Sequence, residues 1–278
     1  MMANKTFYIT ENRLVQFLKD LAGRYNVISP YGSGDYHLKP FQDEVIFTPY
    51  RAVTSIRQFL MPSFDSAPLY EGKEIRRRPF CIFGVKACDL QSLRVQDYVF
   101  LEGDIDRGYE DLRSNNIIIS SDCTGFKDVC FCLNLDINPY PEELFDLNIS
   151  LLSDSRLLVD VGSPKGAKLM EESKNIFQEA SQTMISEREQ LRKKVVDDLS
   201  SHLKANALVS NKALYNLIKG GYEHDLWAKE SSRCVECGAC VMNCPTCHCF
   251  LLFDTENKGE LLRGRTWDGC QYKNYSRV

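Results

Sequence analysis

No run of apolar residues in this 278-residue chain approaches the roughly 18 to 20 needed to cross a bilayer. The opening Met1-Met2-Ala3-Asn4-Lys5 is followed by mixed residues, without the apolar core and small-residue cleavage site of a signal peptide, so the expected location is the cytoplasm. A basic excess is missing as well: 34 Lys and Arg stand against 38 Asp and Glu. The resulting charge of −4 gives no field that would gather nucleic acid or anionic lipid, and leaves proteins as the expected partners. Arg76-Arg77-Arg78 is a local exception, read as solvated surface. No Gly-x-Gly-x-x-Gly follows a strand-like run, and Gly220-Gly221 after Lys219 has no phosphate-loop context. Internal repeats and low-complexity stretches are also wanting.

Cysteine, by contrast, is abundant. Six of the 12 cysteines fall between Cys234 and Cys249, and without an export signal such clustering points to metal rather than disulfides. So many thiols also suit an anaerobic or low-oxygen habitat, since exposed thiolates oxidise in air. With 44% apolar and 26% charged residues, the chain is otherwise an ordinary globular sequence, able to bury a sizeable core.

Leu14, Phe17, Leu18 and Leu21 recur at helical spacing behind Thr10, which predicts a Thr-capped amphipathic helix. Tyr25–Ile28 and Glu44–Thr48 read as short strands. Pro79–Val85 is an apolar, β-rich run, then comes a turn at Ala87-Cys88-Asp89, then a helix with Leu90, Leu93, Tyr98 and Leu101 on one face. Asn115–Ser121 repeats the strand signal, so a parallel βαβ unit with both faces covered is expected. Leu147–Leu152 and Arg156–Val161 flank Ser153-Asp154-Ser155 as a hairpin. Lys165 to Lys204 is charged and helical in period, and Asn211–Lys219 offers a further short helix. The fold class is therefore α/β: a mixed body (1–164) built on a βαβ unit, a helical connector (165–230) and a C-terminal cysteine-rich module (231–278).

The run Cys234-x2-Cys237-x2-Cys240-x3-Cys244-Pro245 is the bacterial ferredoxin ligand pattern for a [4Fe-4S] cluster. Gly238 lets the backbone turn closely, bringing amides toward the sulfurs. Structural zinc sites pair two Cys-x2-Cys units across a longer spacer, which this run does not do. The triplet Cys240-x3-Cys244-x2-Cys247 matches that of radical S-adenosylmethionine enzymes, but those need a large barrel after it and only 31 residues follow Cys247. Cys247, Cys249 and Cys270 are either further ligands or reduced, buried small hydrophobes. Cys88 and Cys123 follow the two parallel strands and Cys130-Phe131-Cys132 lies in the next loop. Carboxyl ends of parallel strands open on one crevice, so these four thiols are either a second cluster site or structural cysteines. Cys81, inside a strand, belongs to the core.

The order Phe83-Gly84-Val85-Lys86-Ala87-Cys88-Asp89-Leu90, Asp122-Cys123, Cys130-Phe131-Cys132, the ferredoxin run with Pro245-Thr246-Cys247-His248-Cys249-Phe250, and Trp267-Asp268-Gly269-Cys270 resembles the iron-sulfur β-subunit family of cytoplasmic sulfhydrogenases. It is similar also to an iron-sulfur subunit of anaerobic sulfite reductase. The resemblance covers the chain from about Tyr50. It implies an electron-transfer subunit with no catalytic residue of its own. Such a chain stands between a hydrogenase or reductase catalytic subunit on one side and a flavin-containing NAD(P)H-oxidoreductase subunit on the other. The resemblance also implies a second ferredoxin-type run downstream, which the sequence lacks before Val278. Cys244 then either closes its own cluster or serves one completed elsewhere. The alternative is a self-contained reductase that binds flavin or substrate in the α/β crevice.

Overall fold

A computed structural model describes residues 6–68, 78–206, 211–257 and 259–272. Met1–Lys5, Arg76 and Arg77 lie outside the described residues.

The first half of the chain lays down β1 (Thr6–Thr10), α1 (Glu11–Ala22), β2 (Asn26–Tyr31), β3 (His37–Pro40) and β4 (Phe64–Pro68). The βαβ unit follows as β5 (Phe80–Val85), α2 (Ala87–Leu101), α3 (Arg107–Asn115) and β6 (Ile117–Ser121). Then come the hairpin β7 (Leu147–Leu151) and β8 (Arg156–Val161), α4 (Pro164–Glu172), β9 (Gln178–Glu179) and α5 (Gln182–Ala205). The C-terminal part holds α6 (Asn211–Gly220), α7 (Leu226–Ser231), α8 (Ala239–Asn243), β10 (Phe250–Asn257) and β11 (Glu260–Trp267).

One sheet has the order β3-β2-β5-β6-β7-β8-β1-β9, parallel from β2 through β7 and antiparallel outside it. Alternation along its central strands feeds two cores. Cys81, Phe83, Ile117 and Ile119 face α1 and α4, packing with Leu14, Phe17, Leu18, Leu169 and Met170. Ile82, Val85 and Ile118 face α2 and α3, packing with Leu90, Leu93, Phe100, Tyr109 and Leu112. Burying both faces explains why these strands read as unbroken apolar runs. The expected βαβ unit, hairpin and core position of Cys81 are all present.

Four local readings need correction. Glu44–Thr48 joins no ladder; β3 pairs with β2 at that edge, while Val45 and Phe47 pack on the core from an irregular segment. Thr10 stands at the N-cap of α1 but its side chain makes no capping bond. Cys88 lies within the first turn of α2, not before it. On that helix Tyr98 is 66% exposed, because five residues beyond Leu93 the helix has turned it away; Phe100 holds the buried face instead.

The charged, helical-period stretch after Lys165 folds as two helices, α4 and α5. Ser163 caps α4 by accepting from Gly166 N–H, Ser181 caps α5 by accepting from Met184 N–H, and β9 between them pairs with β1. A second, three-stranded sheet runs β10-β11-β4, so body residues Phe64–Pro68 form an edge of the C-terminal unit.

Candidate metal centre

In the ferredoxin run, two left-handed residues, Glu236 (φ 54°) and Gly238 (φ 73°), curl the chain between Cys234 and Cys240. Glu236 N–H points at Cys234 Sγ, 3.4 Å away. Gly238 is also pressed against a side chain: a Cβ there would lie 2.0 Å from Tyr272 Oη. Cys234, Cys237 and Cys240 are exposed, with Cys240 on α8; Cys244 is half-buried at its end, within 3.1 Å of Thr246 Oγ1. Buried Val241 is the apolar anchor of the loop. Cys247 and Cys249 are half-buried just beyond, while Cys270 is exposed.

Body residues hold this loop. Gln96 on α2 donates to the carbonyls of Pro245 (3.0 Å) and Cys247 (3.1 Å). Arg57, from a 3-10 turn (Ile56–Phe59), donates to the carbonyls of Val241 (3.2 Å) and Cys249 (3.5 Å) and stacks on Trp267 at 3.8 Å. Trp267 in turn donates from Nε1 to Met61 C=O at 2.9 Å.

The second set gathers at the carboxyl ends of β5 and β6. A bulge at Gly84 (φ 82°), where a Cβ would meet Pro30 at 2.6 Å, re-aims the end of β5 toward Lys86 and Cys88. Cys123 follows β6, its N–H bonded to Pro139 C=O at 2.8 Å; Lys127 N–H points at Cys130 Sγ at 3.3 Å. The thiols sense one another, Cys88 responding to Cys123 and Cys132, and Cys123 to Cys132 and Cys130. Burial pushes Cys88 well up and Cys123 up to about 12 as free thiols, so a bound metal or a nearby cation is needed for either to be a thiolate.

Such cations are present, and the sequence reading missed them. Lys86 is 1% exposed and donates to Thr48 C=O (2.8 Å), Ser121 Oγ (2.9 Å) and Asp122 C=O (2.7 Å). Arg51 pairs with the buried Asp89 at 2.9 Å and senses both Cys88 and Cys244. A lysine directly after an apolar strand, in Phe83-Gly84-Val85-Lys86, was the available signal; for Arg51 and Arg57 there was none.

Among the described residues, no three His, Cys, Asp or Glu side chains form a group that could share one metal ion. Four thiolates around a cubane are held apart by the cluster's own iron and sulfide. The ferredoxin loop fits that group: four thiols on a tight left-handed turn, with an amide aimed at sulfur. A cavity of about 450 Å³ lies beside Cys123, walled by Ser150, Arg188, Arg192 and Val195. Arg188 and Arg192 are engaged by Asp160 (2.6 Å) and Asp122 (2.7 Å). No described helix is long and apolar enough to cross a membrane.

Residues 233–278 match the 4Fe-4S dicluster domain family. The chain is 29% identical over 192 residues, 69% of its length, to "Sulfhydrogenase 2 subunit beta" of Pyrococcus furiosus. It spans 55% of that protein. The resemblance read from the cysteine order therefore holds, and the chain is a [4Fe-4S] iron-sulfur protein.

Proposed function

We propose that this chain, an iron-sulfur protein similar to a sulfhydrogenase β subunit, relays electrons within a multisubunit oxidoreductase. Its neighbours in this reading are a flavin-containing subunit that handles NAD(P)H and a hydrogenase or reductase catalytic subunit. Cys234, Cys237, Cys240 and Cys244 hold one [4Fe-4S] cluster, and Cys88, Cys123, Cys130 and Cys132 a second in the body. Bound there, the clusters supply one-electron acceptors and donors. The chain's own residues fix the spacing between the two sites and keep charge around them.

The observation that carries this reading is that α2 carries Cys88 and also holds the segment just after Cys244. Cys88 sits in its first turn, and Gln96, eight residues on, grips the carbonyls of Pro245 and Cys247. Eight residues of helix rise about 12 Å, so one rigid element links Cys88 to the segment beyond the ferredoxin run. The apolar groups left exposed beside the run, Val235 at 82% and Leu251 at 54%, suit contact with a protein partner.

Anaerobic purification of the tagged chain from its native cell, followed by identification of co-purifying subunits and cofactors, tests the proposal. Flavin is expected, together with a hydrogenase or reductase subunit. A solitary, colourless chain carrying zinc would sink it. The cavity beside Cys123 favours the second reading, a self-contained reductase, and flavin retained by the isolated chain would raise that reading above the first.

A further inference from the structure

We infer that Arg57 is a fixed cation of the ferredoxin-type centre: it positions the segment from Val241 to Cys249 and makes that centre easier to reduce. This rests on reading Cys234–Cys244 as a cluster site. The side chain is only 1% exposed, yet it comes from the body and reaches across to the C-terminal unit. Its Nη1 and Nη2 hold the carbonyls of Val241 and Cys249, residues that bracket Cys244 and Cys247, and its guanidinium carbon lies 3.8 Å from the centroid of the Trp267 ring. Nε is buried with no hydrogen-bond partner.

A buried charge persists only where something compensates its desolvation. Here the named compensation is two carbonyl dipoles, an indole face, and the thiols of Cys247, Cys244 and Cys249, which act on the guanidinium in that order. Lys86 and Arg51 differ. Lys86 is surrounded by three oxygen acceptors, and Arg51 is balanced by Asp89, so each answers mainly to neighbours in the body. Arg57 faces sulfur. Adding one electron to a thiolate-bound cluster adds one negative charge, and a fixed cation in a low-dielectric site stabilises that reduced form more than the oxidised one.

The test is an anaerobic redox titration of the full-length, cluster-loaded chain, following the spin signal of the reduced ferredoxin-type centre. Arg57→Gln is expected to shift its potential to a more negative value, and Arg57→Lys to return it most of the way. An unshifted potential in Arg57→Gln, or an equal shift in Arg57→Lys, overturns the inference while the cluster reading stands. Unaltered protein that binds no cluster overturns both. Should Arg57→Gln fail to fold, the unaltered chain decides: with ¹⁵N-arginine incorporated, pulsed electron-nuclear double resonance of the reduced centre is expected to show nitrogen coupling, lost in Arg57→Lys. No coupling in the unaltered chain overturns the role.

Discussion

Arg192 and Asp122 are joined by a buried, two-pronged ion pair, Nε to Oδ2 at 2.7 Å and Nη2 to Oδ1 at 3.2 Å. The pair clamps α5 onto the residue just before Cys123. Asn148 Nδ2 donates to the same carboxylate at 2.9 Å, and the guanidinium lies over Tyr140 at 4.5 Å. A long helix remote in sequence thus fixes the entry to the body's thiol cluster.

The first prediction concerns that clamp. Arg192→Met leaves Asp122 buried with only its Asn148 bond, and removing one partner of a buried pair costs about 3–5 kcal/mol. Urea unfolding is expected to give a loss in that range for Arg192→Met, and the double variant with Asp122→Asn is expected to lose less than the sum of the two single changes. Strict additivity would mean the two residues do not act together.

How much of this was legible beforehand depended on distance along the chain. Phe80–Val85 and Ile117–Ser121 announce themselves because strands buried on both faces must be apolar throughout. The ferredoxin run is legible because its four cysteines fall within eleven residues at the spacing of a known ligand pattern. Glu44–Thr48 has the composition of a strand, yet which segment takes a sheet edge is decided by the partner, and His37–Pro40 follows β2 more closely. The pairing of Phe64–Pro68 with β11, and the reach of Arg57 to Val241, join segments nearly 200 residues apart, and no local pattern records them. α3 has too few apolar residues to show a helical stripe, its short polar sequence being anchored chiefly by Tyr109 and Leu112.

Tyr109 supplies a pH-dependent prediction. Burial pushes its phenol well above the ordinary value, and the hydrogen bond to Asp97 at 2.7 Å adds to this. Below about pH 10 the phenol is neutral in both folded and unfolded chains and its contribution is fully present. Above that the unfolded chain releases the proton and the folded one keeps it, so stability falls as pH rises, by up to about 1.4 kcal/mol per pH unit. Tyr109→Phe is expected to be less stable at neutral pH and to show a shallower fall above about pH 10. Parallel stability curves for the two proteins would contradict this.

Arg265 ties the second sheet to the body. It is mostly buried, pairs with Asp65 at 3.2 Å, and also binds Asp106, the N-cap of α3. Arg265→Ala removes the cation that Asp65 and Asp106 share and is expected to cost up to about 3 kcal/mol. Limited proteolysis checks where the loss falls: cleavage is expected to quicken within β10 and β11 while the eight-stranded sheet stays protected. Uniform quickening across the chain would mean the contact is not local.

Serine substitutions can separate the two proposed iron sites. If both thiol sets hold clusters, each accounts for about four iron atoms, and a serine at one site leaves the other loaded. Cys237→Ser is therefore expected to remove about half the iron and to loosen the C-terminal unit, because ligation and folding are coupled in such loops. Cys123→Ser is expected to remove the other half and to leave the ferredoxin-type spin signal in place. The double change is expected to bind none. Iron and sulfide counting after anaerobic purification, with spin counting of the dithionite-reduced samples, reads all three. The decisive result is Cys123→Ser: buried beside Lys86, this thiol has no reason to lower iron content if it is only packing. Iron at the unaltered level in that variant would make Cys88, Cys123, Cys130 and Cys132 structural cysteines and leave the ferredoxin run as the chain's sole cluster site.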